Sequence, residues 1–300
     1  MNDIIEKFKA PDFKPDENTK SELERLNREG ESLSGFQLEY ADLKNANLVD
    51  ADLSSCDLTR ADLSHTSMYG ANLEGANLFK ANLEGANLKD SNLTNCELLG
   101  ANFTNSKLHK VNWGEEGKIT NELEAEKSQD ALKAKSKYKE AEEIYCAVRL
   151  TMQGQSLGEE ASKVFIREMV CKRKQYPKLS FFRIMSKIAH ITTGYGENIK
   201  RIIGSIFYVL FISAVLFGIE GVSYQDRTLG FFVDDLQNYG IWNTFGNLFY
   251  FSVITFTTVG FGEITPIGPI GKFLTIFEGL ISGIILTILI VAIYRRMMDR

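Results

Sequence analysis

Residues 71–88 read Ala-Asn-Leu-Glu-Gly-Ala-Asn-Leu-Phe-Lys-Ala-Asn-Leu-Glu-Gly-Ala-Asn-Leu, with a small residue and then a leucine two places later in every five. Outward from this stretch the same spacing gives Ala41-Asp42-Leu43, Ala46-Asn47-Leu48 and Ala51-Asp52-Leu53, and it persists from Ser32 to Trp113. Exceptions keep the size rule: Met68, Phe103 and Trp113 stand at the large position, and Cys56, Thr66, Ser91, Cys96 and Ser106 at the small one. Self-similarity at a fixed period is the mark of a solenoid. A small and a large residue two places apart lie on one face of an extended chain, so both enter a shared interior.

The stretch resembles the pentapeptide-repeat proteins, A-[DN]-L-x-x, and the resemblance implies a right-handed quadrilateral β-helix over residues 32–113 with four repeats to a coil. About seventeen repeats then make roughly four coils, and at about 4.8 Å between strands the stack is ~20 Å tall. Cys56 and Cys96 would lie two coils apart, ~10 Å, beyond disulfide reach. Solenoid ends need covers. Glu17 to Arg28 reads as a charged helix that supplies one, within an N-terminal helical cap of residues 1–31, and the helices after Trp113 supply the other. Some pentapeptide-repeat proteins imitate nucleic acid, but Lys44, Arg60, Lys80, Lys89, Lys107 and Lys110 interrupt the acidity here. No nucleic-acid partner is expected. The repeat is expected to be a rigid spacer or a platform for an unidentified cytoplasmic protein or ligand.

Residues 114–199 read as a cytoplasmic helical hairpin followed by an interfacial linker. Tyr138, Ala141, Tyr145, Val148 and Met152 form a helical stripe within Asn121 to Gln153, ended by Gly154. Ser156 and Glu159 match a capping box opening a second helix, which Pro177 interrupts. The pair resembles the helices preceding the membrane part of other pentapeptide-repeat channel proteins. Leu179, Phe181, Phe182, Ile184, Met185, Ile188 and Ile191 among Ser180, Arg183, Ser186 and Lys187 suit a helix lying in a membrane interface or packed into the helical core.

Two later stretches approach the roughly 20 apolar residues needed to cross a bilayer, about 202–219 and about 270–293, the second containing only Lys272 and Glu278 as charges. Lys200 and Arg201 precede the first, and Arg295, Arg296 and Arg300 follow the second, which places both termini in the cytoplasm. Glu220, Asp226, Asp234 and Asp235 against Arg227 make the outward loop acidic, either an ordinary solvated loop or a means of concentrating cations. Met1 to Lys9 lacks a signal-peptide core, so the soluble part is expected to stay inside the cell.

Between the spans lies Thr257-Thr258-Val259-Gly260-Phe261-Gly262-Glu263. Glycines at 260 and 262 admit backbone angles closed to other residues, so successive carbonyls can turn toward one axis and replace the water around a cation. The stretch resembles the potassium-channel filter T-V-G-[YF]-G, and residues 200–300 resemble the two-span potassium channels, an all-α pore domain with a re-entrant pore loop. That resemblance implies a pore helix at about 243–256 and a filter at 257–262. It implies K+ sites made by the carbonyls of Thr258, Val259, Gly260 and Phe261 and the Thr258 hydroxyl, and a homotetramer in the lipid bilayer. Thr257, Glu263 and Tyr250 would support the filter, Gly279, Ser282 and Gly283 form a hinge, and Thr287, Ile290 and Tyr294 face the cavity or gate. Phe261 lacks the usual tyrosine hydroxyl, Glu263 replaces the commoner aspartate, and Ile254 stands where some relatives place a carboxylate. Glu278, an intramembrane acid, is expected to bond to a pore-helix group.

A second string, Thr192-Thr193-Gly194-Tyr195-Gly196-Glu197, looks almost as filter-like. It has a span on one side only, and charged residues from Arg167 to Lys187 precede it, so it reads as a surface elbow into the first span. Cys56, Cys96, Cys146 and Cys171 form no C-x-x-C pair, and His65, His109 and His190 are isolated. Nothing points to an enzyme, and no cofactor is expected beyond K+ as the permeant ion. The expected function is a plasma-membrane, multi-pass, potassium-selective channel with a repeat domain of structural or regulatory role. The alternatives are a membrane-tethered repeat scaffold that recruits a partner, and a nonselective cation channel.

Overall fold

The repeat leucines share one interior only if the chain turns a corner every five residues, and in the computed structural model it does so. The structure describes residues 2–225, 227–232 and 240–298. Asp226, Asp234, Asp235 and Arg300, invoked above for the loop charge and the orientation, lie outside the described residues. Short parallel bridges join each repeat to the one twenty residues later, from Gln37–Asp57 to Asn92–Asn112, so four repeats close one coil. At the corners an Asp or Asn side chain accepts the N–H two residues on, 3.0 Å for Asp57 and Thr59 and 3.1 Å for Asn77 and Phe79. This is the turn for which these residues are suited. The next residue takes a positive φ, 70° at Gly75 and 56° at Arg60 and at Lys80.

Leu43, Leu63 and Leu83 are completely buried, with Ala61 and Ala81 beside them. Polar substitutes at the small position donate to interior carbonyls: Thr66 Oγ1 to Leu43 (2.8 Å), Cys56 Sγ to Leu33 (3.0 Å) and Cys96 Sγ to Leu73 (2.9 Å). Their burial therefore leaves no orphaned group. Outside, asparagines bond from coil to coil, Asn92 Nδ2 to Asn72 Oδ1 at 3.0 Å and Asn112 Nδ2 to Asn92 Oδ1 at 3.1 Å.

Two helices cover the first coil. α1 (Asn2–Lys9), within the expected cap of residues 1–31 but not named there as a separate helix, buries Phe8 against Phe36 with ring centroids 4.9 Å apart. α2 (Thr19–Arg28) buries Leu23 and Leu26, and its Glu24 accepts the Asn47 N–H at 2.8 Å. At the other end come α3 (Thr120–Lys127), α4 (Ala131–Gln153) and α5 (Gly158–Lys174), and α6 (Phe181–Thr193) follows them in the chain. The single helix expected from Asn121 to Gln153 is broken: Ser128 is extended, and Asp130 caps a new start by accepting the Leu132 N–H at 2.8 Å. The capping box is also corrected. Ser156 takes a φ of 59°, and α5 starts at Gly158 after Leu157, with no side-chain cap bond. Residues 155–157 are still closing α4, since Gln155 and Leu157 both donate to the Met152 carbonyl at 3.1 Å.

Where α3 meets α4 and α5, Glu122 is 1% exposed, accepts the Tyr145 hydroxyl at 2.5 Å and lies 3.5 Å from Arg167 Nη1. Burial pushes its carboxyl above the usual range, against the opposing pull of Tyr145 and Arg167.

The described residues form two compact units, within 2–186 and within 187–298. The second contains α7 (Ile199–Glu220), α8 (Ile241–Phe256) and α9 (Gly268–Met298). It also holds a small antiparallel sheet absent from the sequence reading, with β1 (Val222–Tyr224) between β2 (Arg227–Leu229) and β3 (Ile264–Pro266). α7 and α9 each reach a mean hydropathy of 2.5, and only 28% and 22% of their apolar windows are buried. A buried core helix of a soluble protein would not leave Phe207, Leu280 and Ile284 more than 60% exposed, so these faces suit lipid or other copies of the chain.

Candidate functional site

α8 has no charged residue among its sixteen and is held between α7 and α9. Phe251 meets Phe217 of α7 edge-on at 4.7 Å, and Leu248, Ile254 and Phe256 are buried. The helix stops at Thr257 because the next donors fold back onto its last turn. Thr257 N bonds to the Val253 carbonyl (2.9 Å) and Thr258 N to that of Thr255 (3.0 Å), while Val259 N and Gly260 N share the Ile254 carbonyl at 3.0 and 3.2 Å. The C-terminal end of α8, with its partial negative charge, thus stands at the start of this loop.

From Thr257 to Glu263 every residue is exposed in one protomer, between Phe256 at 2% and Ile264 at 3%. Within the loop φ is positive at Thr258 (58°), Gly260 (53°) and Gly262 (81°), and not at Val259 or Phe261. Alternating handedness sets successive N–H groups on one side of the chain, which leaves the other side to the carbonyls. The loop is anchored at both ends, by α8 before it and by β3, paired to β1, immediately after Glu263.

The similar string at 192–197 has a different backbone. Gly194, Tyr195 and Gly196 take φ values of 57°, 59° and 86° in succession, so the sign does not alternate. Tyr195 stacks on His190 at 5.5 Å, Arg201 Nη1 donates to the His190 carbonyl at 3.0 Å, and Asn198 caps α7. The string is the turn between α6 and α7, and it is partly buried rather than on the surface, with Thr193 at 6%. Glu197 also pairs with Arg295 near the end of α9 at 3.0 Å.

Thr257, Thr258, Val259, Gly260, Phe261, Gly262 and Glu263 are therefore one continuous loop, whereas the other predicted residues are spread along the helices. Tyr250 lies on α8 and is about one-third exposed. Gly279, Ser282 and Gly283 sit in an uninterrupted stretch of α9; both glycines face open space, and Ser282 is fully buried with its hydroxyl on the Gly279 carbonyl (2.8 Å). Thr287, Ile290 and Tyr294 are exposed together on one side of α9. The bond expected from Glu278 to a pore-helix group is present, although the sequence did not single out which residue makes it. The Ser252 hydroxyl of α8 donates to its Oε1 at 2.5 Å. An isolated serine in an apolar helix carries no spacing signal. Among the described residues no cluster of His, Cys, Asp or Glu is placed to hold a metal.

Residues 222–300 match the ion channel family model, and residues 37–75 and 71–109 match the pentapeptide repeat model. Neither is an enzyme family. Solved structures similar to this chain are pentapeptide repeat proteins. HetL of the cyanobacterium Nostoc sp. strain PCC 7120 is 36% identical over 29% of this chain and 40% of its own, with a TM-score of 0.28. Rfr23 of Cyanothece 51142 is 38% identical over 28% of this chain and 52% of its own, with a TM-score of 0.20. A second Nostoc PCC 7120 protein is 26% identical over 38% of this chain and 90% of its own, with a TM-score of 0.29. The chain thus spans about two-fifths of HetL and half of Rfr23. No curated protein matches it. The chain carries an ion channel domain over residues 222–300, with two helices apolar enough to cross a membrane in residues 187–298, and pentapeptide repeats over residues 37–109.

Proposed function

We propose that four copies of this chain form a potassium-selective channel of the plasma membrane, with both termini and the repeat domain in the cytoplasm. The observation that carries this reading is the alternation of φ sign through Thr258, Val259, Gly260, Phe261 and Gly262 at the C-terminus of an uncharged helix, beside a similar string whose φ values do not alternate. One chain offers carbonyls from one side only, so four must surround the axis to replace a potassium ion's hydration shell. The ion is substrate. It sheds water at the carbonyls of Thr258, Val259, Gly260 and Phe261, and ions in adjacent sites repel one another onward. The Thr258 hydroxyl donates to the Thr257 carbonyl at 2.7 Å, which leaves its oxygen lone pairs for the innermost site. The partial negative charge at the end of α8 lowers the cost of holding a cation there.

Val259 at 54% and Phe261 at 66% exposure then find cover against neighbouring chains. Thr287, Ile290 and Tyr294 line the space enclosed by four α9 helices, and Gly279, Ser282 and Gly283 give that helix its pliant turn. The repeat domain serves as scaffold or regulator and as the platform for a cytoplasmic partner. Reversal potential in a potassium/sodium gradient tests the reading: a value near the potassium equilibrium potential is expected. A value near zero means a nonselective pore, and absence of current means a tethered scaffold.

A further inference from the structure

The one acidic side chain in the apolar part of α9 has no counter-charge around it. No Asp, Glu, Lys, Arg or His occurs in α7 from Ile202 to Ile219, in α8, or elsewhere in α9 between Lys272 and Arg295. Glu278 is nevertheless 2% exposed, and its Oε2 has no hydrogen-bond partner among the described residues. A well-packed apolar side chain would serve stability at least as well, so holding a half-satisfied carboxyl here calls for another explanation.

The other oxygen supplies it. Oε1 accepts the Ser252 hydroxyl at 2.5 Å, so this residue of α9 is bonded directly to α8. Ser252 is fully buried and lies two residues before Ile254, whose carbonyl holds the Val259 and Gly260 N–H groups. A short chain of bonds and helix therefore runs from α9 to the loop: Glu278, Ser252, the last turn of α8, then Val259 and Gly260. On α9 the residue after Glu278 is Gly279, and Gly283 follows one turn later; a Cβ at either would meet nothing within 4 Å. The attachment thus sits beside a glycine-containing turn of the helix, where small residues permit bending.

We propose that Glu278 is a positioning residue that ties α9 to the loop at 258–262, so that a bend or shift of α9 changes the loop's backbone. This rests on the channel reading for its consequence, altered selectivity, but not for its structural content. The experiment uses the full chain in lipid vesicles, with Glu278→Gln, Glu278→Leu, Ser252→Ala and the Glu278→Leu/Ser252→Ala pair. Two quantities are measured: amide hydrogen exchange of the peptide covering residues 254–262, which needs no conduction, and the potassium/sodium permeability ratio. Glu278→Leu and Ser252→Ala are each expected to speed exchange in that peptide at least tenfold and to lower the ratio at least fivefold. The double variant should be no worse than the singles, because both remove one shared bond. Glu278→Gln, whose amide oxygen still accepts from Ser252, should keep both quantities within twofold of the starting protein. Unchanged exchange in Glu278→Leu and Ser252→Ala overturns the proposal, as does faster exchange throughout residues 199–298 in every variant, which would mark plain loss of packing. Absence of current in the unsubstituted protein refutes the channel reading instead, and the exchange arm still decides this one.

Discussion

Replacing Gly260 by alanine separates backbone conformation from side-chain packing as the determinant of conduction. Gly260 has a φ of +53°, and a Cβ built there meets nothing within 4 Å in the protomer. Steric conflict within one chain is therefore negligible, and what remains is the left-handed penalty of an L-residue, roughly 1–2 kcal/mol. In one protomer that shifts the balance between the native angle and a flipped peptide by about 5- to 30-fold. With four chains around one axis the sum is roughly 4–8 kcal/mol, or roughly three to six powers of ten in the population that keeps every chain aligned. A flip at 260 gives Val259, Gly260 and Phe261 the same sign of φ and takes a carbonyl out of the row. Potassium flux into vesicles is expected to fall at least a hundredfold, while assembly judged by size in detergent is retained. Gly204→Ala is the control, because Gly204 lies inside α7 with open space around it and no positive φ; its flux should stay within twofold. Flux and selectivity of Gly260→Ala within twofold of the starting protein would refute the reasoning, since the alternating backbone would then not be what conducts.

Leu83→Ala, at a completely buried position of the solenoid, should cost about 2–5 kcal/mol in urea unfolding followed by circular dichroism. Leu132→Ala, at an 80% exposed position, should change stability by less than about 0.5 kcal/mol. Burial raises the Glu122 carboxyl in the folded state above its unfolded value. The folded state therefore holds this proton more tightly, so its contribution is fully present below the unfolded value and is lost as pH rises through the folded one. Denaturation midpoints across that window should decline with pH, and Glu122→Gln should flatten the decline. Burial also pushes the Cys56 and Cys96 thiols up to about 12. At pH 8 only about one in ten thousand of each is thiolate, so alkylation followed by mass spectrometry should modify half-buried Cys146 first and these two only on unfolding.

The β-helix was readable because its signal repeats: a leucine every fifth residue, with Ala or a small substitute two places earlier, leaves one way to bury both. α7 and α9 were readable from length and apolarity alone. Local signals fared less well. Ser156 and Glu159 have the residues of a capping box, yet the end of α4 claims the same stretch, and a motif of four residues cannot reveal that competition. The apolar stripe from Tyr138 to Met152 lies wholly within α4 and carries no information about the break at Ser128 to Asp130, eight or more residues before it. Strands of three residues, as in β1, β2 and β3, are too short to show alternation, and the pairing of β1 with β3 joins residues some forty apart. At the candidate site the sequence named the loop but could not tell 258–262 from 192–197 by residue type; context did so. The backbone angles, and the bond from Glu278 to Ser252 across twenty-six residues, belong to tertiary packing.

The claim on which the account turns is that main-chain oxygens of four identical loops face one axis. A map of the full-length protein in lipid nanodiscs with potassium tests it directly. The account predicts four chains, with the carbonyls of Thr258, Val259, Gly260 and Phe261 turned inward and a row of ion density between them. A single chain per nanodisc, or a loop at 258–262 directed away from any shared axis, would contradict it.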